Sequence, residues 1–306
     1  MGCGVWQNRR SSAATSAKPS SAPLRTGAVI AAEEASLPDA HRGYDRAVRV
    51  GTFNVHSWAD AEGRGNVDRV VRLLAPLELD VLALQEVTRG GELGRVARAL
   101  GLHVTTAPAG WGINALLTRT LPTSANAAVL DLRGVELRSA VLAVLDTPRG
   151  PLGVCATHLA HEEEESRMAQ LGQLLPAMAG LPAETILLGD LNALRPTDYA
   201  RYRWAEIAAV RARNYWEEPR GELVAALDAH GWIDLPRLSL AGELSRYGAQ
   251  LAQPMPPSLA QTCRFATRVD YAWASAGLAA TLASVQVEVL ATDASDHRPV
   301  VVTLGW

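Results

Sequence analysis

The sequence from about Asp45 onward predicts an α/β fold with mixed β-sheets. Short apolar runs of strand length alternate there with segments whose apolar residues recur at helical spacing. Two longer predicted strands, 138–146 and 151–159, are joined by turn-forming residues at 147–150, which indicates an antiparallel pair. Adjacent strands combined with strands separated by crossover helices are typical of mixed sheets covered by helices.

The first half of this segment begins with two buried strands separated by a helix. The apolar runs at 48–55 and 80–87 predict the strands, the second of which suits a sheet covered on both faces. Apolar residues recur at helical spacing over 67–74, and Pro76 ends that helix. A second amphipathic helix is predicted over 93–100, ending at Gly101, followed by strands near 113–118 and 126–132.

The second half continues with a helix whose apolar stripe runs from Met168 to Met178 and with a buried strand at 185–189. Residues 198–218 predict a helical, tryptophan-rich insertion. We expect Trp232 to pack in a core. For Trp204 and Trp216 two interpretations remain open, namely packing in a core and a position beside a functional site. The last predicted strands are 262–265, 268–274, 283–290 and 298–304.

Residues 1–44 predict a disordered or targeting N-terminal tail in front of a domain over 45–306. The Ser, Ala and Pro mixture before Glu33 cannot bury a core. Three interpretations remain open, namely a plain disordered tail, an organelle transit peptide, and N-terminal lipidation suggested by Gly2 and Cys3. Trp6 stands where the myristoylation pattern requires Ser or Thr.

Composition excludes several classes of protein. The three cysteines are far apart, which argues against a disulfide framework or a structural zinc site. No apolar run approaches the roughly 18 residues of a membrane-spanning helix, and we expect an intracellular location. Residues 45–306 carry 24 basic and 29 acidic side chains, a balance that disfavours a broad electrostatic grip on duplex DNA.

Polar side chains interrupt the ends of the predicted core strands. Each by itself has an ordinary explanation, because Asn and Asp start turns and cap helices. If the strands share one face of the sheets, however, these side chains converge where active sites commonly lie. The set comprises Asn54, Glu86, His158, Asp190, Asn192, Asp270, Asp296 and His297.

Three carboxylates and two amides of this set would form an all-oxygen ligand shell. They belong to Glu86, Asp190, Asp296, Asn54 and Asn192. Such ligands suit Mg²⁺ or Mn²⁺ rather than zinc. Without a cation, the crowded carboxylates would repel one another and lose hydration, at high cost in free energy. The sequence therefore predicts a divalent-cation site.

Six short motifs carry these polar residues along the chain. They are Phe53-Asn54-Val55-His56, Leu84-Gln85-Glu86-Val87, Thr157-His158-Leu159, Gly189-Asp190-Leu191-Asn192, Arg268-Val269-Asp270-Tyr271 and Ser295-Asp296-His297. Together they resemble the successive motifs of the endonuclease/exonuclease/phosphatase family, the DNase I-like superfamily, over roughly 46–306. The resemblance implies a four-layer α/β sandwich with two packed mixed β-sheets and metal-dependent hydrolysis of phosphoester bonds, as a phosphodiesterase, nuclease or phosphatase.

The resemblance also implies roles for the acids and amides. Glu86 would be the principal Mg²⁺ ligand, with Asn54 beside it and Asp296 as a further ligand. Asp190 and Asn192 would orient the attacking water and a phosphate oxygen.

The histidines receive roles from the same resemblance. His297, held by Asp270, would act as general base or bind the phosphoryl group, and His158 would stabilise phosphate charge or assist the leaving group. His56 stands where abasic-site endonucleases carry Asp, which weakens a DNA-repair interpretation and favours a substrate contact over a metal ligand. Asn114 lies in 112–119, which looks like the family's strand before the catalytic His, and is expected to contact substrate.

Other hydrolase schemes lack their motifs in this chain. There is no Gly-x-Ser-x-Gly elbow and no phosphate-binding Gly-x-x-x-x-Gly-Lys loop, and the run His161 to Glu165 lacks the second zinc-binding His of a zincin. That acidic run is expected to be a solvated first helical turn. Cys155 is expected to be a buried apolar residue rather than a nucleophile.

Two classes of function remain. The first is a Mg²⁺-dependent hydrolase of a phosphorylated substrate, for which single-stranded nucleic acid, a phospholipid head group and a phosphoinositide are all open. The second is a catalytically silent binding or scaffolding protein that retains the fold. The complete set of acids and histidines favours the enzyme.

Overall fold

The computed structural model describes residues 26–27, 30–31, 47–88, 90–107, 113–130, 137–246 and 254–306. In the predicted tail over 1–44 it describes two short strands, β1 (Thr26–Gly27) and β2 (Ile30–Ala31), which add to the edges of the two sheets. The remainder of the predicted tail lies outside the described residues.

The other strands and the helices follow in alternation along the chain. The strands are β3 (Val48–Asn54), β4 (Val81–Val87), β5 (His103–Ala107), β6 (Ile113–Thr118), β7 (Ser124–Leu130), β8 (Arg138–Thr147), β9 (Gly150–His158), β10 (Thr185–Asp190), β11 (Ile233–Asp234), β12 (Asp270–Ala274), β13 (Ser284–Val289) and β14 (Val300–Gly305). The helices are α1 (Val67–Leu74), α2 (Glu92–Leu100), α3 (Glu164–Met178), α4 (Arg201–Arg213), α5 (Glu222–Ala229), α6 (Leu235–Arg246), α7 (Pro257–Ala260) and α8 (Ala276–Thr281).

The described strands form two seven-stranded sheets. The first has the order β1-β7-β8-β9-β10-β12-β11 and the second the order β13-β14-β3-β4-β6-β5-β2. Each sheet contains one parallel pair, β9 with β10 and β3 with β4, among antiparallel neighbours. Both sheets are therefore mixed, as predicted.

Three apolar clusters hold four layers together. One lies between the sheets and includes Val50, Val154 and Leu188. A second packs α3 and α5 on the outer face of the first sheet, and a third packs α1 and α2 on the outer face of the second. This is the four-layer α/β sandwich that the resemblance implied.

The buried strands lack polar alternation because both of their faces are covered. In β10, Ile186 and Leu188 join the cluster between the sheets, while Leu187 joins the cluster under α3. Burying both faces of a strand requires apolar residues at successive positions. The predicted continuous run at 185–189 therefore reflects the layering itself.

Several sequence predictions need correction. Residues 262–265 are not a strand, because Thr262 and Cys263 both donate backbone hydrogen bonds to the Thr267 carbonyl in a tight turn. Glu164 is fully buried rather than solvated, since its carboxylate accepts a hydrogen bond from Arg167 and caps the Leu223 amide. The strands β5 and β11 were not predicted.

Other expectations are met. Cys155 lies in the core of the first sheet, where burial raises the pKa of its thiol, and Trp232 packs against the cluster under α3 and α5. Among the described residues, none of the helices has the length and apolar character needed to cross a lipid bilayer.

Candidate active site

The predicted site residues lie where parallel strands of both sheets end. Asn54 ends β3 and Glu86 lies near the end of β4 in the second sheet, while His158 and Asp190 end β9 and β10 in the first. The Asn54 Nδ2 donates to Glu86 Oε1 at 2.8 Å and to Asp190 Oδ2 at 3.1 Å. One amide thus joins carboxylates that come from different sheets.

A β-bulge directs Glu86 into the site. The pairing of β4 with β6 shifts register between Leu84 and Val87, and Glu86 has a φ of 55°. Strand alternation would place Glu86 on the same helix-covered face as Leu84, whereas the bulge turns its side chain to Asn54. A glutamate with a left-handed backbone conformation lowers the stability of the fold by about 1 kcal/mol or more. Such strained residues are commonly found at functional sites.

The loop before β14 is tied to the same place. Ser295 Oγ donates to the Asn54 carbonyl at 2.8 Å. The buried Asn66 amide lies 3.1 Å from the Val55 carbonyl and 2.5 Å from that of Ala294. These contacts fix the residues around Asn54 against the segment that carries Asp296 and His297.

His297 and Asp270 form a hydrogen-bonded pair. The Nδ1 atom of His297 lies 2.9 Å from Asp270 Oδ2, and its Nε2 atom lies 3.8 Å from Asp190 Oδ2. Burial by itself lowers the pKa of His297, but the carboxylates of Asp270 and Asp190 outweigh it and raise that pKa well above its usual range. The hydrogen bond to Asp270 therefore holds the imidazole in one orientation, and the two carboxylates favour its protonated form.

Asp190 is a buried carboxylate with neighbours of both signs. Burial, reinforced by repulsion from Asp270, raises its pKa to about 6, although the charge of His297 and hydrogen bonds from Asn54 and Asn192 act in the opposite direction. The preceding residue must be Gly189, because a Cβ there would collide with the Thr157 carbonyl. The close approach of β9 and β10 thus places His158 and Asp190, which are paired at the ends of these strands, side by side.

His158 lies against a buried arginine that the sequence analysis did not identify. Arg138 Nη1 donates to His158 Nδ1 at 2.9 Å, and His158 Nε2 lies 3.1 Å from Asn192 Nδ2 and 3.6 Å from Asp190 Oδ2. Burial and the positive charges of Arg138, His297 and His161 lower the pKa of His158. His158 is therefore neutral, in contrast to His297.

His56 and Asp296 lie at the edge of this cluster. The His56 amide donates to Asn54 Oδ1 at 2.9 Å, and its Nδ1 lies 3.7 Å from Asp296 Oδ1. Asn114 lies deeper, where its amide donates to the Ser139 carbonyl at 2.6 Å. The structure thus brings Asn54, Glu86, His158, Asp190, Asn192, Asp270 and His297 into one chain of contacts, with His56 and Asp296 beside it.

The donor set fits a divalent cation. Asp270 Oδ1 and Asp296 Oδ1 are buried without a hydrogen-bond partner among the described residues. Among the described residues, the group whose potential ligand atoms lie within 4.8 Å of one another is Asp190, Asp270 and His297, and it shares only Asp190 with the predicted carboxylates Glu86, Asp190 and Asp296. Glu86 is joined to this group through Asn54, whose Nδ2 donates to both Glu86 and Asp190.

Carboxylates, amides and histidines gathered at the strand ends of an α/β sandwich could bind a divalent cation and neutralise the charge of a phosphoryl group. The model of the Endonuclease/Exonuclease/phosphatase family matches residues 51–297, and the chain belongs to this family. Enzymes of this family generally hydrolyse phosphoester bonds. No curated protein sequence matches the chain.

Several solved structures share the fold. A family protein from Beutenbergia cavernae DSM 12333 is 21% identical, with 85% of this chain and 72% of that chain covered and a TM-score of 0.59. The mannosyl-6-phosphatase of Bacteroides thetaiotaomicron VPI-5482 is 16% identical, with 85% and 100% covered and a TM-score of 0.57. A truncated Caenorhabditis elegans TDP2 is 17% identical, with 85% and 98% covered and a TM-score of 0.56.

Proposed function

We propose that this protein hydrolyses phosphoester bonds with the help of a divalent cation, Mg²⁺ or Mn²⁺. The observation that carries the proposal is the Asn54 amide shared between Glu86 of one sheet and Asp190 of the other. Carboxylates are gathered there at a cost in free energy that a cation would offset. Phosphoryl transfer requires mainly positioning and neutralisation of charge, which such a cluster supplies.

The cation would be held by Glu86, with Asn54 and Asp296 as further ligands. When bound, it neutralises charge on the phosphoryl oxygens and lowers the pKa of water. Asn54 is preorganised for this role, because its Oδ1 and Nδ2 are both engaged by neighbours. Oxygen donors favour hard cations over zinc.

The protein's own side chains would orient the reactants. Asp190 and Asn192 would position the attacking water and a phosphate oxygen, with the Asn192 amide donating to Asp190 Oδ1 at 2.9 Å. His297 carries a proton that Asp270 stabilises, so it would bind the phosphoryl group or exchange a proton with water. The neutral His158, backed by Arg138, would donate a hydrogen bond toward a phosphate oxygen or the leaving group.

The substrate is a phosphorylated compound whose organic group the family does not specify. One neighbour in fold is a mannosyl-6-phosphatase, and a shared fold does not by itself specify the substrate. Single-stranded nucleic acid, a phospholipid head group and a phosphoinositide therefore form the panel to assay.

Substitution of Glu86 by Gln tests the proposal. Mg²⁺-dependent release of p-nitrophenol from bis-p-nitrophenyl phosphate should fall by at least about 100-fold, because even outer partners of metal ligands are worth 10–100-fold. The same change at Glu288, an exposed residue of β13, should leave turnover unaltered.

The Asp190→Ala protein should be as inactive as Glu86→Gln. Near-normal turnover by Glu86→Gln in Mg²⁺ would refute the assignment. A wild-type protein that binds Mg²⁺ but hydrolyses none of the panel would instead establish the silent binding protein.

A further inference from the structure

Two aromatic side chains pack against each other at the surface beside the site. The rings of Trp216 and Phe265 meet edge to face, with centroids 4.9 Å apart and planes at 84°. Trp216 is 41% exposed and Phe265 is 39% exposed. The pair therefore offers partly exposed aromatic surface at which a flat ligand could be buried.

The position of Phe265 is set by the segment that carries Asp296 and His297. The neighbouring Arg264 amide donates to the Asp296 carbonyl at 2.7 Å, and Arg264 Nε lies 3.7 Å from Asp296 Oδ2. Cys263 forms an isolated β-bridge with His297. The aromatic pair therefore borders the candidate active site rather than a remote surface.

Hydrogen bonds fix the main chain at both aromatic residues. Arg203 Nη2 donates to the carbonyls of Phe265 and Ala266 at 3.2 Å each. The Trp216 amide donates to the Arg211 carbonyl at 3.0 Å, just after the C-terminal end of α4. The backbone under the rings is thus ordered, and the rings themselves pack against each other, which reduces the conformational entropy lost on binding.

Guanidinium groups flank the aromatic pair. Arg264 lies over the Phe265 ring at 4.8 Å, and Arg211 lies over the Trp216 ring at 5.9 Å. Aromatic rings interleaved with arginines are typical of surfaces that stack nucleobases and attract the attached phosphate.

We propose that Trp216 and Phe265 form a base-stacking subsite, so that the substrate is a nucleoside phosphate whose base lies against the pair while its phosphoryl group enters the site. The inference rests on the proposed hydrolysis of phosphoesters and narrows its substrate class. Arg264 belongs to the subsite, because its guanidinium lies between the Phe265 ring and Asp296.

Binding of adenosine monophosphate and of ribose phosphate tests the subsite, because these ligands share the sugar and the phosphate and differ in the base. Calorimetric titration of the full chain in Ca²⁺ should give roughly tenfold tighter binding of the nucleotide, since stacking is worth about 1–3 kcal/mol per base. The ratio should approach one in Trp216→Ala and in Phe265→Ala. Trp216→Phe, which retains a ring, should keep most of the preference.

Tyr202→Ala provides the matched control. Tyr202 is an aromatic residue of α4 with 73% exposure, and its loss should leave the ratio of affinities unchanged. Circular dichroism shows whether each variant is folded. If Trp216→Ala does not fold, the affinity ratios of Phe265→Ala and Trp216→Phe test the subsite instead.

Equal affinity of the wild-type protein for the two ligands, or an unchanged ratio in the ring variants, would overturn the subsite. Loss of binding to vesicles of phosphatidylinositol phosphate in Trp216→Ala, with the nucleotide preference intact, would also overturn it. Titration with a short single-stranded oligonucleotide distinguishes nucleic acid from free nucleotide as the natural ligand. If its affinity falls in Trp216→Ala, the natural ligand is nucleic acid. Hydrolysis of bis-p-nitrophenyl phosphate is scored separately, so a failure of the proposed activity stays distinguishable from a failure of the subsite.

Discussion

At the scale of single residues, Asp190 is the carboxylate of the site whose ionised form is most strongly disfavoured by burial and by a neighbouring carboxylate. It is 1% exposed, lies among Asp270, His297 and Asn54, and has a pKa raised to about 6. Hydrogen bonds from Asn54 and Asn192 do not offset its loss of hydration. Residues that lower stability in this way are typical of sites whose chemistry requires them.

The difference in stability between Asp190→Asn and the wild-type protein, both without cation, should depend on pH. The folded-state pKa of Asp190 lies above its unfolded value of roughly 4, so its contribution to stability is present at low pH and is lost as the pH rises through about 6. The asparagine has no such dependence. In urea unfolding with EDTA, the variant should gain about 2 kcal/mol over wild type between about pH 4 and pH 7.

Asp146→Asn is the control for that experiment, because Asp146 is exposed at the end of β8. Its difference from wild type should be the same at both pH values. A difference between Asp190→Asn and wild type that does not change with pH would contradict the raised pKa.

Most of the residues in the cluster could be named from the sequence, but their pKa shifts, backbone conformations and hydrogen-bond partners could not. Asn54, Glu86, Asp190 and His297 stand out because each interrupts an apolar strand end. Arg138 was missed, since an arginine at the start of an apolar strand looks the same as a solvated strand edge. The left-handed backbone of Glu86 was also beyond prediction, because it arises from the register shift between β4 and β6.

At the scale of secondary-structure elements, a buried ion-pair network fastens the insertion to the strand that carries Asp270. Arg268 Nε donates to Asp198 Oδ2 at 2.7 Å, and its two Nη atoms donate to Asp234 at 2.9 and 2.7 Å. Arg237 Nη1 donates to Asp198 Oδ1 at 2.7 Å. The residues after β10, the start of α6 and the residues before β12 are thereby joined around one guanidinium.

Asp234→Ala should destabilise the protein by about 3–5 kcal/mol, because removal of one partner leaves the buried charge of Arg268 without its bidentate acceptor. Asp228→Ala removes a half-exposed partner of Arg195 and should cost at most about 1 kcal/mol. Urea unfolding curves of both variants measure the two costs. Similar decreases in the free energy of unfolding of the two variants would show that the buried network contributes no more to stability than a half-exposed ion pair.

Element boundaries were predictable where composition and geometry agree. The helix α1 ends before Pro76 and α2 ends at the left-handed Gly101, as their residues indicate. The segment 262–265 misled because Thr, Cys and Phe favour strands, whereas the turn around Ala266, with a φ of 53°, depends on contacts with the loop that carries Asp296. Tertiary contacts outweigh local propensity at such places.

At the scale of the whole molecule, each sheet supplies one half of the site. Asn54 and Glu86 come from the second sheet, and Asp190 and Asp270 come from the first. The apolar cluster between the sheets fixes the distance between these halves. A ligand bound to both halves therefore stabilises the docking of the two sheets.

Addition of Mg²⁺ should raise the thermal unfolding temperature of the wild-type protein, because a cation that binds the folded state alone stabilises it by mass action, by about 2.7 kcal/mol at a concentration 100 times its dissociation constant. Differential scanning fluorimetry with increasing Mg²⁺ measures the shift. Glu86→Gln should show a much smaller shift, whereas Glu288→Gln should match wild type. Equal shifts in all three proteins would place the cation elsewhere.

The contact between Asn54 and Asp190 has a consequence for the order of events during folding. Its two residues are 136 positions apart, and their strands grow in separate sheets. A nascent or refolding chain with only the second sheet and the loop before β14 in place holds the proposed cation ligands but lacks His158, Asp190 and Asp270, so it cannot orient water and phosphate for reaction. Competence to react should thus return in the last kinetic phase, when the halves close on each other, and a partly assembled chain stays chemically inert.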